Sequence, residues 1–257
     1  MITSLQNSLV KNIVQLRKPR SRKEQDLVIV DGLREMKVAS DYGFEFVEII
    51  HCPELSDETW TKAPVEAIEV SSEVFHKIAY ADNPNGWLAL VRPRFRSLSD
   101  LKLKNKPLIL ILEAVEKPGN LGAMLRTAYA AKVDAVILNN LQTDLYNPNV
   151  IKASSGHVFS DQVVLADTDS TVAWLKKNKI KSFATNITAA KNYTSVNWKQ
   201  AAAIVMGTEA TGLSEFWLEH ADENIIIPMQ AGIDSLNVSV SAAIVIFEAR
   251  RQRDLSK

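Results

Sequence analysis

Between residues 108 and 227 the sequence returns six times to a short apolar run, at 108–112, 135–138, 163–165, 182–185, 203–206 and 225–227. Most of these runs are apolar throughout, with no polar alternation, which is the pattern of strands buried on both faces. Helical spacing fills the stretches between them, most clearly at 121–132 and 171–177. The alternation restricts this half of the chain to a largely parallel sheet covered by helices, an α/β domain. The closing segment, 238–253, is apolar on nearly every side as far as Glu248 and ends Arg250-Arg251-Gln252-Arg253. A helix of that kind is expected in a core or an interface, and its basic end suits the negative pole of the helix dipole.

The upstream part reads as a smaller α/β or α+β domain. Leu5, Leu9, Ile13 and Leu16 recur at helical spacing, strands are expected at 27–30, 46–50, 67–70 and 87–91, and helices at 33–42 and 71–80. A basic stretch containing Pro93 and ending at Pro107 follows, which places a boundary near 95–105 and two domains at 1–100 and 101–257.

Thirty basic residues balance thirty acidic ones, yet the charge is uneven. Residues 11–23 and 92–106 together carry twelve Lys and Arg against one acid, Asp100. A balanced total therefore hides a candidate basic face made by the two runs, against the plainer expectation of a solvated arm and linker. The single cysteine, Cys52, excludes a disulfide framework and a Cys-rich zinc site, and four histidines without HExxH spacing add no metal motif. No apolar run approaches the ~20 residues of a membrane span, and the N-terminus lacks signal-peptide order, so a soluble, cytoplasmic protein is expected.

Three segments carry candidate chemistry. Glu116-Lys117-Pro118-Gly119-Asn120-Leu121-Gly122-Ala123-Met124-Leu125-Arg126 follows a strand and opens a helix, with Asn120 as a plausible N-cap and Arg126 within two turns of it. Met206-Gly207-Thr208-Glu209-Ala210-Thr211-Gly212-Leu213 has the glycine spacing of a P-loop, but Leu213 stands where the phosphate-binding lysine belongs. Ile227-Pro228-Met229 leads through Gly232 to Ser235-Leu236-Asn237, where Ser235 or Asn237 is expected to start the last helix. Three loops at the strand ends of one parallel sheet converge on one edge, the usual place for an α/β ligand site. No GxGxxG fingerprint, hard-metal carboxylate cluster or GxSxG elbow is present.

Taken together, these segments resemble the motifs of the SpoU-type 2′-O-ribose RNA methyltransferases of the SPOUT class. The family patterns P-x-N-x-G-x-x-x-R, G-[ST]-E-x-x-G-L and I-P-M followed by S-L-N-V-S-V stand here at 118–126, 207–213, 227–229 and 235–240. Asn147-Pro148-Asn149 and Lys152-Ala153-Ser154-Ser155-Gly156 also look like family segments, and 22–34 with 75–93 resemble the family's L30e-like substrate-binding domain more weakly. The resemblance implies a knotted C-terminal domain with a trefoil knot, a homodimer, and S-adenosylmethionine as methyl donor. It implies donor contacts at Gly207, Ile227 and Leu236, with Thr185 and Met229 as pocket walls. Asn120, Arg126, Glu209, Ser235 and Asn237 match the family's polar active-site positions, and no metal is implied.

Two positions depart from the family. Ala231 stands where Gly is usual, with Gly232 one place later, and an alanine there strains the loop if the position needs a positive φ. Lys117 stands where an acid is common. The expected activity is methylation of a ribose 2′-hydroxyl, with ribosomal RNA favoured over transfer RNA as substrate. The alternatives are a transfer-RNA-specific methyltransferase and a catalytically silent RNA-binding or ribosome-assembly relative, the latter drawing support only from Ala231. A guanidinium is a poor base, so Arg126 is expected to hold the neighbouring phosphate, with Glu209 orienting it.

Overall fold

The apolar runs become strands, and the computed structural model, which describes residues 1–232 and 235–254, groups them into two sheets. The chain forms two compact units. One holds Met1–Arg94 with Tyr146–Ser160, and the other holds Phe95–Leu145 with Asp161–Lys257.

In the first unit, helices α1 (Ser8–Gln15) and α2 (Pro19–Gln25) precede β1 (Val28–Asp31), α3 (Leu33–Asp41), β2 (Phe46–His51), β3 (Ala67–Glu69), α4 (Ser72–Ile78) and β4 (Trp87–Val91). The strands lie in the order β1-β4-β2-β3, with only the β2–β3 pair parallel. The amphipathic spacing of the N-terminal residues produces α1, which starts at Ser8 because the Asn7 side chain caps it, accepting from the Leu9 amide at 2.8 Å. Val10, Ile13 and Leu16 then bury against Phe75 and Leu88 in the core.

Several arginines of the two basic runs are engaged with backbone carbonyls, although of the arginines in these runs only Arg22 is buried. Arg22 is buried and donates to the carbonyls of Leu16 and Arg17, both at 2.9 Å. Arg17 donates to the carbonyls of Lys77 and Ala79, and Arg92 to those of Gln25 and Asp26. Arg94 donates to the Tyr42 carbonyl and lies 4.6 Å from the Phe44 ring centre. These side chains satisfy carbonyls at helix and loop ends that would otherwise need other partners. Lys11, Lys18 and Lys23 are exposed, and their side chains make no hydrogen bond or ion pair among the described residues.

The second half of the chain runs through β5 (Leu108–Glu113), α5 (Pro118–Ala130), β6 (Ala135–Asn139), α6 (Pro148–Ala153), β7 (Val163–Ala166), α7 (Thr168–Lys177), β8 (Lys181–Thr185), β9 (Lys191–Asn192), β10 (Ala202–Met206), α8 (Glu215–His220), β11 (Glu223–Ile226) and α9 (Val238–Asp254). All six expected strands are present, joined by the two-residue β9. They form one parallel sheet in the order β7-β6-β5-β10-β8-β11-β9. β5, β6 and β10 are buried along their whole length, as their unbroken apolar runs require. Lys181 and Lys191 both pair with Glu223, tying β8 and β9 to β11, and their hydrogen bonds hold its carboxyl below the usual glutamate range.

α9 buries Val238, Ala242, Val245, Ile246 and Ala249 and packs on α5. Near its C-terminus Arg253 donates to the carbonyls of Lys106, Pro107 and Gln200, fastening the helix to the segments that enter β5 and β10.

The segment Tyr146–Ser160 packs in the first unit, an excursion that no composition shift in the sequence marked. Phe159 meets Phe44 edge-on at 4.8 Å between ring centres and stacks on Tyr146 at 5.7 Å. Lys152 Nζ lies 3.8 Å from Oε2 of Glu35, whose side chain is 5% exposed. Gly156 sits at φ +83°, and a Cβ there would lie 3.0 Å from Val38 Cβ and 3.1 Å from Glu35 Cα. Left-handed backbone and tight packing both demand glycine. Gly156→Ala is therefore expected to lower stability by about 1–2 kcal/mol, measured by urea denaturation. An unchanged midpoint would show that the segment does not depend on this close approach.

Candidate active site

Parallel strands all end on the same edge of their sheet. The neighbours β10, β8 and β11 therefore bring Thr185, Met206 and Ile226, and the loops that follow them, side by side. A cavity of about 340 Å³ opens there. Thr185, Gly207, Glu209, Ile227, Met229, Ser235 and Leu236 all line it, seven of the ten residues singled out from the sequence. Leu213, Leu218 and Ile225 add apolar wall, and Val238 and Ser241 of α9 close one side.

The loop after β10 folds back on itself. Thr208 and Gly212 form an antiparallel bridge, with the Thr208 amide donating to the Gly212 carbonyl at 2.9 Å. The Thr211 amide donates to Thr208 Oγ1 at 3.1 Å, and Gly212 takes φ +71°. Gly207 sits at the crossing, where a Cβ would lie 2.2 Å from Gly212 C and O and 2.4 Å from Leu213 N. Only glycine allows the two backbone arms to meet. The loop ends at Ser214, which caps α8 and is held by buried Glu113 at the end of β5: the Ser214 amide donates at 2.9 Å and its hydroxyl at 2.7 Å. Thr185 Oγ1 donates to the Val205 carbonyl at 3.0 Å, so its hydroxyl ties β8 to β10 while its side chain lines the cavity.

The other three expected residues lie outside that lining. α5 begins at Pro118 with Lys117 as its N-cap, so Asn120 stands inside the first turn and does not cap the helix. Proline at the first position explains the earlier start, since its missing N–H is one the helix end leaves unused. Asn120 Oδ1 instead accepts from Asn237 Nδ2 at 3.3 Å, which joins the starts of α5 and α9. Asn237 does cap the last helix: its Oδ1 accepts from the Ser239 amide at 3.0 Å. Arg126 is exposed on α5, and its side chain makes no hydrogen bond or ion pair among the described residues. Glu209 does not orient it; the Glu209 carboxylate pairs with Lys117.

Ala231 is not among the positive-φ residues, whereas Gly232 takes φ +91°. The left-handed position of this loop is Gly232, so Ala231 carries no positive-φ strain. Ile233 and Asp234 of the same motif lie outside the described residues. Sequence reasoning missed Glu113 and the use of Lys117. Glu113 gave no signal beyond being the acidic end of an apolar strand, and Lys117 was visible only as a departure from the family pattern.

Comparison with known proteins identifies the family. A model of the SpoU rRNA methylase family matches residues 107–247, and a model of the MRM3-like substrate binding domain matches residues 7–89. The chain is 27% identical over 249 residues to the 23S rRNA guanosine 2′-O-methyltransferase RlmP of Bacillus subtilis, covering 97% of this chain and 98% of that one. A crystal structure of an RNA 2′-O ribose methyltransferase is 37% identical, with a TM-score of 0.85 over 98% of both chains. The AdoMet-bound rRNA methyltransferase of Sinorhizobium meliloti is 28% identical, with a TM-score of 0.87 over 97% of both chains. The chain belongs to the SpoU rRNA methylase family, the class of S-adenosylmethionine-dependent RNA 2′-O-methyltransferases.

The crossing at Gly207 gives a direct test of the loop. Gly207→Ala is expected to part its arms, raising hydrogen exchange at the Thr208 and Thr211 amides by about tenfold or more, or ~1.4 kcal/mol of local opening. Amides within β10 should exchange as before. Unchanged protection at Thr208 would mean that the arms do not depend on the missing Cβ.

Proposed function

We propose that this chain transfers a methyl group from S-adenosylmethionine to a ribose 2′-hydroxyl of ribosomal RNA. The observation that carries the reading is the convergence of seven motif residues on one strand-end cavity. The cavity suits such a donor. Its apolar wall of Leu213, Ile227, Met229 and Leu236 offers surface for a flat base, and Thr208, Glu209 and Ser235 offer polar partners for sugar and amino-acid groups. Gly207 lets the two arms of the loop that bounds the cavity cross.

S-adenosylmethionine, when bound, supplies a methyl group on a positively charged sulfonium centre. The work of the chain is then to bring a poor nucleophile into line and to remove its proton. Arg126, charged and with no side-chain partner among the described residues, holds the phosphate next to the target ribose with two parallel hydrogen bonds. It does not take the proton, because a guanidinium stays protonated at any working pH. A phosphate oxygen or a water accepts it. The Asn237–Asn120 hydrogen bond fixes the start of the helix that carries Arg126 relative to the helix that closes the cavity.

The preference for ribosomal over transfer RNA is supported by the Bacillus subtilis 23S rRNA methyltransferase relative and by the SpoU rRNA methylase match. Exposed Lys11, Lys18 and Lys23 serve as RNA phosphate contacts in this reading, while buried Arg22 of the same run does not. The reading includes a trefoil knot in the threading of the last strands and a homodimer that covers Val240 and Phe247, which α9 leaves exposed. It places the enzyme in the cytoplasm. Among the described residues no helix is long and apolar enough to cross a membrane. A silent relative loses its one support, since Ala231 is unstrained.

Arg126→Ala is expected to reduce methyl transfer roughly a hundredfold or more while leaving S-adenosylmethionine affinity within about twofold, because Arg126 lies outside the cavity lining. Single-turnover transfer and calorimetry measure the two quantities. Transfer at the wild-type rate would remove Arg126 from the mechanism.

A further inference from the structure

We propose that Lys117 is a positioning residue for Glu209, holding its carboxylate in the wall shared by two cavities so that it meets a hydrogen-bond donor on a bound substrate. The inference rests on the reading of the chain as a methyltransferase and extends it to a residue at which this chain departs from its family.

A second cavity of about 270 Å³ adjoins the first. Val115, Glu116 and Lys117 form one side of it, and Gly207–Ala210 with Val238 form the wall common to both cavities. Glu209 stands in that wall. Its side chain is 23% exposed, and Oε2 pairs with the ammonium group of Lys117, whose side chain is 70% exposed. So exposed a lysine adds little to stability by pairing. What the pair does is fix a direction, joining the loop after β5 to the loop after β10.

Glu209 Oε1 is shut off from solvent and has no hydrogen-bond partner among the described residues. A buried carboxylate oxygen without a partner is unfavourable, and the cost is relieved only when an N–H or O–H reaches it. The terminal torsion of a glutamate is soft, so a turn of the carboxylate brings Oε1 to either cavity while Lys117 stays engaged. The group that satisfies it is an ammonium or hydroxyl. The donor's amino acid or sugar and the ribose of the target nucleotide both offer one. With an acid at 117 the two side chains would repel, and Glu209 would need a different anchor.

The test compares the wild-type chain with Lys117→Ala, Lys117→Arg, Glu209→Gln and the double variant K117A/E209Q. S-adenosylmethionine affinity is measured by calorimetry, and kcat and KM with ribosomal RNA. Lys117→Ala and Glu209→Gln are each expected to lower kcat/KM about tenfold, and the double variant is expected to be no worse than Glu209→Gln alone. Lys117→Arg should restore most of the loss, because it returns the cation. If Oε1 serves the methyl donor, calorimetric affinity falls in step in both single variants. If it serves the RNA ribose, affinity is unchanged and the loss is confined to the reaction with RNA.

Additive losses in the double variant would overturn the proposal. So would a Lys117→Ala loss that appears as a higher RNA KM with a flatter salt dependence in both backgrounds, which would make Lys117 a phosphate contact. A Lys117→Ala chain indistinguishable from the wild type would overturn it as well. A wild-type chain that neither binds the donor nor transfers methyl groups would overturn the underlying reading, a result separable from all of these.

Discussion

Everything at the candidate site depends on the parallel register of β5, β10, β8 and β11. Strands in one direction end on one edge, and because β10 lies between β5 and β8, its loop has a neighbour on each side. Glu113 at the end of β5 grips Ser214 where that loop finishes, and Thr185 at the end of β8 is tied to Val205 of β10. The loop therefore enters and leaves the sheet at fixed points. Between them Gly207 lets the backbone cross itself at a distance no side chain permits. The cavity is a consequence of sheet order and of one missing Cβ. The side chains that line it then set what it can hold.

Much of this could be read in the sequence, for a physical reason. A strand buried on both faces must be apolar at every position, so 108–112 and 203–206 announced themselves, and the order of runs and helices implied parallel pairing. The glycine and cap residues at strand ends marked the loops, because turns and helix starts tolerate few residue types. Other features had no local signature. The two-residue β9 is too short for any periodicity. Tyr146–Ser160 joins the first unit through Phe159, Gly156 and Lys152, contacts between residues more than a hundred positions apart that no window of sequence contains.

The charged residues show the same limit more sharply. Twelve basic residues in two runs look alike in the sequence, yet Arg22 is buried and Lys18 is exposed. The difference is chemical. A guanidinium presents several donors in a plane and can satisfy two carbonyls at once, so arginines are drawn to the ends of helices and loops, while lysines keep their charge in water. Glu209 was legible as the carboxylate of a strand-end loop but its partner was not, since the pair is formed across two loops by a lysine where an acid is usual. Asn120 does not cap because proline at 118 starts the helix three residues earlier than a cap at 120 would.

The central claim is that methyl transfer goes to a ribose 2′-oxygen. Alkaline hydrolysis tests this most directly, because strand cleavage in alkali requires a free 2′-hydroxyl at the bond that breaks. Ribosomal RNA treated with the chain and methyl-labelled S-adenosylmethionine should carry its label in alkali-resistant dinucleotides. Label released in mononucleotides would place the methyl group on a base, and RNA that takes up no label would deny the chain its activity; either result contradicts the account.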